Sequence, residues 1–334
     1  MTIVLPATSE SLHQAADLLR RGRLVAFPTE TVYGLGAAAE NESAVRAMFA
    51  AKGRPADHPV IVHLPDAAQL SEWAAEIPPA ARRLVAAFWP GPLTLILRRG
   101  PGVSDLVTGG LDTVGLRVPG HPVAQQLFRL FGGGIAAPSA NRFGRVSPTT
   151  AQHVLDELDG RVELILDGGP CTIGLESTIV DLSRVEPAVL RPGGITAEQL
   201  FEVLGPFSSS PSSEAPRVSG SMESHYAPRA RVELLSPDQI AARAAELVTQ
   251  GNRVAVLLRN AEHHEAEPHS FPKSVVVISL PREDVELART LYATLRRVDE
   301  LECDVALSTL PIEQGLGIAI ADRLRKAAGP RAGG

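Results

Sequence analysis

The stretch LVAFPTETVYGLG, residues 24–36, decides the fold of the first half of this chain. Its four apolar residues, 24–27, predict a short buried strand that stops at Pro28, because proline cannot continue a central strand. Residues 28–36 then predict an irregular segment carrying Thr29, Thr31 and two glycines. Loops that follow buried strands are where α/β proteins place ligand-binding groups. An ordinary strand-to-helix turn, in which the hydroxyls bind the local backbone, is the alternative interpretation.

Helices and strands are mixed on both sides of this stretch. Apolar spacing predicts helices over residues 9–21, 42–51, 79–88, 122–131 and 151–158. Strands are predicted over residues 60–64, 93–97, 114–118, 135–137, 162–166 and 178–182. Because the two kinds of element do not alternate strictly, the pattern predicts an α/β domain with a mixed sheet.

The composition changes after residue 206. Residues 207–220 read FSSSPSSEAPRVSG, which cannot bury a core and predicts an extended or mobile linker. Beyond the linker, helices are predicted over residues 237–250, 284–300 and 318–328, and strands over 253–258, 274–279 and 304–308. Their clean alternation predicts a small parallel, Rossmann-like sheet.

Bulk composition excludes several classes of protein. The 334 residues suffice for two domains, and 44% hydrophobic with 21% charged residues is typical of a soluble globular protein. A net charge of −6 and 4% aromatic residues argue against a broad nucleic-acid surface. Cys171 and Cys303 are too far apart to indicate a disulfide framework or a zinc cluster. No signal peptide and no apolar run of ~20 residues is present, so we expect a cytoplasmic protein.

A second polar cluster is the sequence KGRP at residues 52–55, with His58 and His63 close behind. Two cations in a turn held by glycine and proline suit a phosphate clamp, since arginine supplies a fork and lysine a point charge. A solvated surface pair is the usual alternative for such a spacing. His63, beside an apolar strand, suits a core-edge histidine equally well.

Two further polar clusters also follow predicted strands. PSAN at residues 138–141 leads to Ser147, which suits either a helix N-cap or an anion contact. ESTI at residues 176–179 and RPGG at 191–194 suit a phosphate or carboxylate, with a simple hairpin turn as the alternative. The sequence has no GxxxxGK[ST] P-loop, GxGxxG, HExxH or CxxC motif. A bound nucleotide would therefore use a less common architecture.

Taken in order, these motifs resemble the Sua/YrdC/YciO family in its longer, two-domain form. The motifs that carry the resemblance are PTETVYGLG (28–36), KGRP (52–55) with His58-Pro59 and His63, WPGPLT (89–94), DTVGLRVP (112–119), PSAN (138–141), SPT (147–149), ESTI (176–179), RPG (191–193) and HYAP (225–228). The resemblance covers nearly the whole chain. It implies a YrdC-like mixed, twisted sheet with a concave cleft in residues 1–205. A linker containing HYAP at 206–231 and a Sua-type C-terminal α/β domain at 232–328 would follow.

The resemblance implies a nucleotidyltransferase. Members of the family join L-threonine, bicarbonate or carbon dioxide, and ATP into threonylcarbamoyl-adenylate and pyrophosphate. The product then serves transferase proteins that modify tRNA. ATP would be a substrate, accompanied by Mg²⁺, with no metal ligand assigned among the protein side chains. Neither stable nucleic-acid binding nor membrane binding is expected.

The resemblance also implies roles for particular residues. The catalytic group would be Lys52, Arg54, Ser139 and Asn141. L-threonine would be held by Thr31, His63, Arg117, Ala137 (through its backbone) and Ser177. ATP would be held by Arg54, His58, Thr113, Ser139, Ser147, Arg191 and Tyr226. An arginine fork matches a carboxylate, which suits Arg117 to threonine.

Two other functions are possible for this fold. One is a double-stranded-RNA or ribosome-binding module, and the other is carbamoyl transfer to another protein.

The linker departs from the family pattern. The family places Pro-Gly a few residues before HYAP, where this chain has Ser219-Gly220 followed by Ser221-Met222. Losing the proline predicts a less stiff linker.

Overall fold

The computed structural model of the chain describes residues 1–207, 215–220, 225–259 and 271–330. The chain divides into two compact units. The first is formed by Met1–Phe143 with Ser147–Ser221, and the second by Gly144–Val146 with Met222–Gly334. The predicted linker falls partly outside the described residues, at 208–214 and 221–224, which include Ser221 and Met222. The domain boundaries expected at residues 205, 231 and 328 stay predictions.

In its described part, the first unit is built on a mixed ten-stranded sheet. The strands are β1 (Ile3–Pro6), β2 (Val25–Phe27), β3 (Gly34–Ala38), β4 (Ile61–His63), β5 (Leu93–Arg98), β6 (Thr113–Arg117), β7 (Ile135–Ala136), β8 (Leu164–Asp167), β9 (Thr178–Asp181) and β10 (Ala188–Arg191). They lie in the order β1-β8-β2-β3-β7-β4-β6-β5-β9-β10. Strands β4 and β6 are parallel neighbours, whereas β2 and β3 are antiparallel, so the predicted mixed sheet is confirmed.

Helices cover this sheet. They are α1 (Ser9–Arg20), α2 (Glu42–Lys52), α3 (Leu70–Trp73), α4 (Pro79–Phe88), α5 (Asp105–Thr108), α6 (Pro122–Phe131), α7 (Ala151–Leu158) and α8 (Ala197–Leu204), with a short 3₁₀ turn at Ala67–Gln69. Alternate residues of β2 enter two different apolar clusters: Ala26 packs in one, and Val25 and Phe27 in the other. Both faces of the sheet centre are therefore buried, as in other α/β folds.

The segment after β2 is more regular than the sequence predicted. Residues 28–36 were expected to be irregular throughout, but β3 begins at Gly34 and pairs back onto β2. A Cβ on Gly36 would lie 2.7 Å from the Phe27 ring. Glycine therefore lets β3 run close against β2, and the irregular part shrinks to residues 28–33.

The second unit has a parallel four-stranded sheet in its described part. Its elements are β11 (Arg231–Leu234), α9 (Pro237–Thr249), β12 (Val254–Arg259), β13 (Val276–Leu280), α10 (Asp284–Glu300), β14 (Val305–Ser308) and α11 (Leu316–Ala327). The strand order is β11-β14-β12-β13, and every pair is parallel. The predicted Rossmann-like sheet is confirmed, although β11 was not predicted. Across the described residues, every helix falls short of the length and apolar character needed to span a bilayer.

Candidate active site

The loop between β2 and β3 is fixed by Thr29. Its Oγ1 accepts the N–H groups of Thr31 and Val32, each at 3.2 Å, and donates to the Val32 carbonyl at 2.6 Å. The Oγ1 atoms of Thr29 and Thr31 are 2.8 Å apart. Either hydroxyl can be the donor of this contact. Thr29 thus makes the turn and holds the Thr31 hydroxyl beside it.

Next to this loop lies a buried ion pair. Nη2 of Arg117, at the end of β6, donates to Oε1 of Glu30 at 2.7 Å, and the side chains are only 4% and 11% exposed. The other Glu30 oxygen accepts the N–H of Gly120 at 3.0 Å. Nε of Arg117 donates to the Gly91 carbonyl at 3.1 Å. With Nε and Nη2 engaged, Nη1 is the part of the guanidinium left to meet a ligand carboxylate.

His63 lies directly beside Arg117, because the two residues are register partners on the parallel strands β4 and β6. It is 4% exposed, and within the described residues its Nδ1 has no hydrogen-bond partner. Burial, reinforced by the positive charge of Arg117, lowers the pKa of His63 to about 3. The ring is therefore neutral at physiological pH.

Ala137 follows β7. Its N–H donates to the carbonyl of Ile61 at 3.0 Å. The carbonyl of Ala137 is therefore the backbone group through which it would meet a ligand.

Ser177 and Arg191 join two parts of the site. Nη2 of Arg191 donates to the Ser177 carbonyl at 2.9 Å and to its hydroxyl at 3.1 Å. The Ser177 hydroxyl also lies 2.7 Å from that of Thr94, on β5. A Cβ on Gly193 would collide with the carbonyl oxygen of Glu176, so only glycine lets the turn after β10 pack this closely.

Lys52 is turned inward at the end of α2. The helix ends on Gly53, whose φ of 64° is left-handed. The Lys52 ammonium donates to the backbone carbonyls of Ser139 and Asn141 and is almost fully buried. Burial, with the nearby charge of Arg54, holds the pKa of Lys52 well below its ordinary value. Three of the four residues predicted to be catalytic thus form one cluster, in which Lys52 anchors the PSAN turn.

Arg54 follows Lys52 by two residues in the chain. Its Nη2 donates to the Pro59 carbonyl at 2.7 Å and to the Ser219 hydroxyl at 3.3 Å. Its guanidinium carbon lies 5.9 Å from the centre of the Phe143 ring. The His58 ring, half-buried, also packs edge-on against Phe143 with centroids 5.5 Å apart. Burial, and then the charge of Arg54, lowers the pKa of His58.

Ser219 connects Arg54 to Arg191. Its carbonyl accepts from Nη1 of Arg191 at 2.8 Å, and its hydroxyl donates to the Pro59 carbonyl at 3.1 Å. Where the family motif has proline, this chain therefore has a hydroxyl that contacts Arg54 and the Pro59 carbonyl, while the bond to Arg191 is made by the backbone carbonyl of the same residue. A proline ring could not make these side-chain hydrogen bonds.

Ser147 does not cap a helix. The N-cap of α7 is Thr150, whose side chain accepts the N–H of His153, so the N-cap interpretation of Ser147 was wrong. Instead, the fully buried Ser147 hydroxyl donates to Oε1 of Glu176 at 2.7 Å. This bond places Ser147 beside the ESTI segment that carries Ser177.

Thr113 begins β6 and opens onto a cavity. The cavity has a volume of about 750 Å³, and its lining includes Arg98, Arg184 and Arg217. The lining also includes Glu76 and Asp112, so the cavity carries charges of both signs.

Tyr226 belongs to the second unit. It has a left-handed backbone with φ of 60° and is 1% exposed. Its ring packs against Tyr292 and lies under the guanidinium of Arg323. The predicted contact of Tyr226 with ATP stays a prediction.

Family models match almost the entire length of the chain. The Sua5/YciO/YrdC model, described as "Telomere recombination", matches residues 17–193. The Sua5 C-terminal model, described as "Threonylcarbamoyl-AMP synthase, C-terminal domain", matches residues 195–329. The chain belongs to the Sua5/YciO/YrdC family.

Individual relatives agree with this membership. The threonylcarbamoyl-AMP synthase of Pyrococcus abyssi is 43% identical over 328 residues, covering 95% of this chain and 94% of the relative. That of Bacillus subtilis is 44% identical over 339 residues, covering 99% and 96%. The crystal structure of P. abyssi Sua5 complexed with L-threonine superposes with a TM-score of 0.90 at 40% identity, covering 98% of both chains. Escherichia coli YciO matches 58% of this chain and 96% of its own, with a TM-score of 0.52 and 26% identity.

The described residues offer this family member no ready metal centre. Among them, no group of three or more His, Cys, Asp or Glu side chains is placed to hold an ion. The two buried carboxylates of the site are engaged, Glu30 by Arg117 and Glu176 by Ser147.

Sequence reasoning assigned no role to several residues that shape the site. Glu30 and Thr94 lie inside family motifs, so position within a motif was an available signal for both. Phe143 carried no such signal, and Ser219 was noted only for the missing proline. Their contacts with Arg54 depend on how distant segments meet in the fold.

Proposed function

We propose that this chain condenses L-threonine, bicarbonate and ATP into threonylcarbamoyl-AMP, pyrophosphate and water. The observation that carries the proposal is the contact of Arg191 with Ser177. Ser177 belongs to the residues expected to hold threonine, and Arg191 to those expected to hold ATP. The reaction requires these substrates to meet, because a carbamate formed on threonine must attack the α-phosphate.

Threonine binding would use the neutral and cationic groups around β4 and β6. The carboxylate of threonine would meet Nη1 of Arg117, whose other donors are held by Glu30 and Gly91. The hydroxyl of Thr31 would contact the amino or hydroxyl group of the substrate. His63 would add its unsatisfied Nδ1, Ala137 its carbonyl, and Ser177 its hydroxyl. The proposal is supported by the likeness to a Sua5 structure that contains L-threonine.

The chemistry explains why cations and aligned donors dominate the site. The threonine amine must be neutral to form an N–C bond to the carbon of bicarbonate, whose C–O bond breaks as water leaves. The nearby positive charge of Arg117 favours loss of the amine proton. The carbamate oxygen then bonds to the α-phosphorus while the bond to pyrophosphate breaks. Both partners are anions, so their approach is limited by charge repulsion. No nucleophile from the protein and no covalent intermediate is needed.

ATP would lie along the arginines and hydroxyls that surround the PSAN turn. Arg54, His58, Ser139, Ser147 and Arg191 would contact it, together with Thr113 at the 750 Å³ cavity and Tyr226. Lys52 and Asn141 would complete the catalytic group with Arg54 and Ser139. Lys52 holds the turn that carries Ser139 and Asn141. Mg²⁺ would enter on the phosphates of ATP and screen their charge.

The alternative of an RNA- or ribosome-binding module has no support in the names of the relatives.

We place the reaction in the cytoplasm, which is compatible with two buried, free cysteines, Cys171 and Cys303. The product would pass to the proteins that transfer threonylcarbamoyl to tRNA. Pyrophosphate release from ATP tests the proposal: it should require threonine and bicarbonate together.

A further inference from the structure

The HYAP segment contains a residue with an unfavourable backbone conformation that its surroundings must stabilise. Tyr226 has a φ of 60°, a region in which side chains other than glycine are uncommon. Such conformations persist where the surrounding structure determines them, and they concentrate at functional positions. The contacts of Tyr226 within the second unit therefore show what holds it.

The ring of Tyr226 is held on several sides. The guanidinium carbon of Arg323 lies 5.1 Å from the ring centre. The ring of Tyr292 lies 5.6 Å away at a tilt of 30°, and that of His225 lies 4.1 Å away. Arg323 is 0% exposed, so its attraction to the face of the ring is not weakened by water.

The charge of Arg323 is compensated where it lies. Its Nη1 donates to Asp322, the preceding residue, and Lys326 donates to the same carboxylate at 3.0 Å. The positive charge of this buried arginine is therefore balanced by the carboxylate of Asp322. Arg323 occupies the inner face of α11, while Arg325, two residues on, is exposed and pairs with Glu313.

The backbone on both sides of Tyr226 is fastened by the last two helices. The N–H of His225 donates to the Lys326 carbonyl in α11 at 3.1 Å. The N–H groups of Arg229 and Ala230 donate to the Asp299 carboxylate in α10 at 2.8 and 2.9 Å. Helices α10 and α11 thus fix the HYAP segment at both ends, and Arg323 acts on the ring between them.

We propose that Arg323 is a positioning residue for ATP binding, which stacks on Tyr226 and holds its ring in the orientation used to contact the nucleotide. The inference rests on the proposed role of Tyr226 and gives the C-terminal domain a function, that of holding this tyrosine. A hydrophobic side chain of similar length could fill the space of Arg323 but would bring no positive charge to the face of the ring.

The test measures ATP affinity by isothermal titration calorimetry on the full chain, without threonine or bicarbonate. Binding alone is read, so the result does not depend on whether the synthase reaction occurs. Arg323→Met is expected to weaken ATP binding about tenfold, within the range of a desolvated cation–π contact. Arg323→Lys, which keeps the charge but not the planar group, should lose less. Arg325→Met, on the exposed side of the same helix, should bind ATP as the parent does.

Combining substitutions separates positioning from a general loss of structure. Tyr226→Ala should weaken ATP binding, and Arg323→Met should add nothing in that background, because its effect passes through the ring. Threonine affinity should stay unchanged in every variant. The proposal is overturned if Arg323→Met weakens binding equally with and without Tyr226, or if ATP affinity is unchanged in both Arg323→Met and Arg323→Lys. If Arg323→Met does not fold, Arg323→Lys alone provides the test. It should weaken ATP binding in the parent chain and have no further effect in Tyr226→Ala.

Discussion

Arg117 and Glu30, 87 positions apart in the chain, form a buried ion pair with a donor–acceptor distance of 2.7 Å. Removing one partner of such a pair leaves the other charge buried without compensation, which destabilises the folded state. We therefore expect Glu30→Ala to lower the free energy of unfolding by about 3 kcal/mol or more. Urea unfolding followed by circular dichroism measures this change.

The control for this prediction is Asp17→Ala, which breaks an exposed pair with Arg20. Exposed pairs contribute little, so this variant should unfold close to the parent. Equal stability of Glu30→Ala and Asp17→Ala would show that the buried pair does not support the site.

Lys52 and Arg54 are expected to matter for the reaction much more than for folding. Lys52→Ala and Arg54→Ala should each reduce adenylate formation by at least ~10²-fold, the size typical for loss of an electrostatic stabiliser. For Lys52 the cause would include release of the turn that carries Ser139 and Asn141. Single-turnover formation of the adenylate measures the effect, with the exposed Lys273→Ala as the matched control. Near-normal rates in either variant would remove that residue from the catalytic group.

His63 makes the stability of the protein depend on pH. Folded His63 has a pKa of about 3, whereas the unfolded chain takes up the proton near the ordinary value of 6.5. Between these values the unfolded state binds more protons, so His63 reduces stability as the pH falls below 6.5. The loss should reach about 1.4 kcal/mol per pH unit.

Denaturant unfolding at pH 7.5, 6.0 and 5.0 tests this dependence. His63→Gln should show a shallower fall in stability below pH 6.5 than the parent, and the same substitution at the exposed His13 serves as the control. Parallel pH curves for the parent and His63→Gln would contradict a buried, neutral His63.

Two shortened chains separate the contribution of Ser219 from that of Tyr226. A chain ending at Gly205 lacks both, whereas one ending at Gly220 keeps the hydrogen bonds of Ser219 with Arg54 and Arg191. We expect the shorter chain to have impaired turnover and ATP retention, and the longer one to recover part of the ATP retention. The KM for ATP and a filter-binding assay measure this. Full activity of the chain ending at Gly205 would make the HYAP segment dispensable.

Sequence reasoning was most accurate where local chemistry sets the structure. The bounds of α6, Pro122–Phe131, were predicted to the residue, since proline begins the helix and Gly132, with φ of 87°, ends it. Strand β1, Ile3–Pro6, was missed because it is a short edge strand that ends in proline, and its pairing partner β8 lies about 160 residues away in sequence. Its pairing is a property of the folded sheet alone.

The same limit applied to the site. The residue types were predicted from motifs at strand ends, but their pairings were not. The hydroxyl of Ser147 suited a helix cap on local grounds, yet it binds Glu176, 29 positions further on. The missing proline before HYAP predicts a less stiff segment, which stays a prediction, whereas the contacts of Ser219 with Arg54 and Arg191 depend on the fold. Local chemistry therefore predicts which groups are present, and tertiary structure decides which of them meet.

The most direct test of the proposed function is the release of pyrophosphate from ATP by the full chain, with threonine and bicarbonate supplied separately and together. We expect release only when both are present, with threonylcarbamoyl-AMP formed in equal amount and detected by mass spectrometry. Pyrophosphate release that ignores either threonine or bicarbonate, or none when both are supplied, would contradict it.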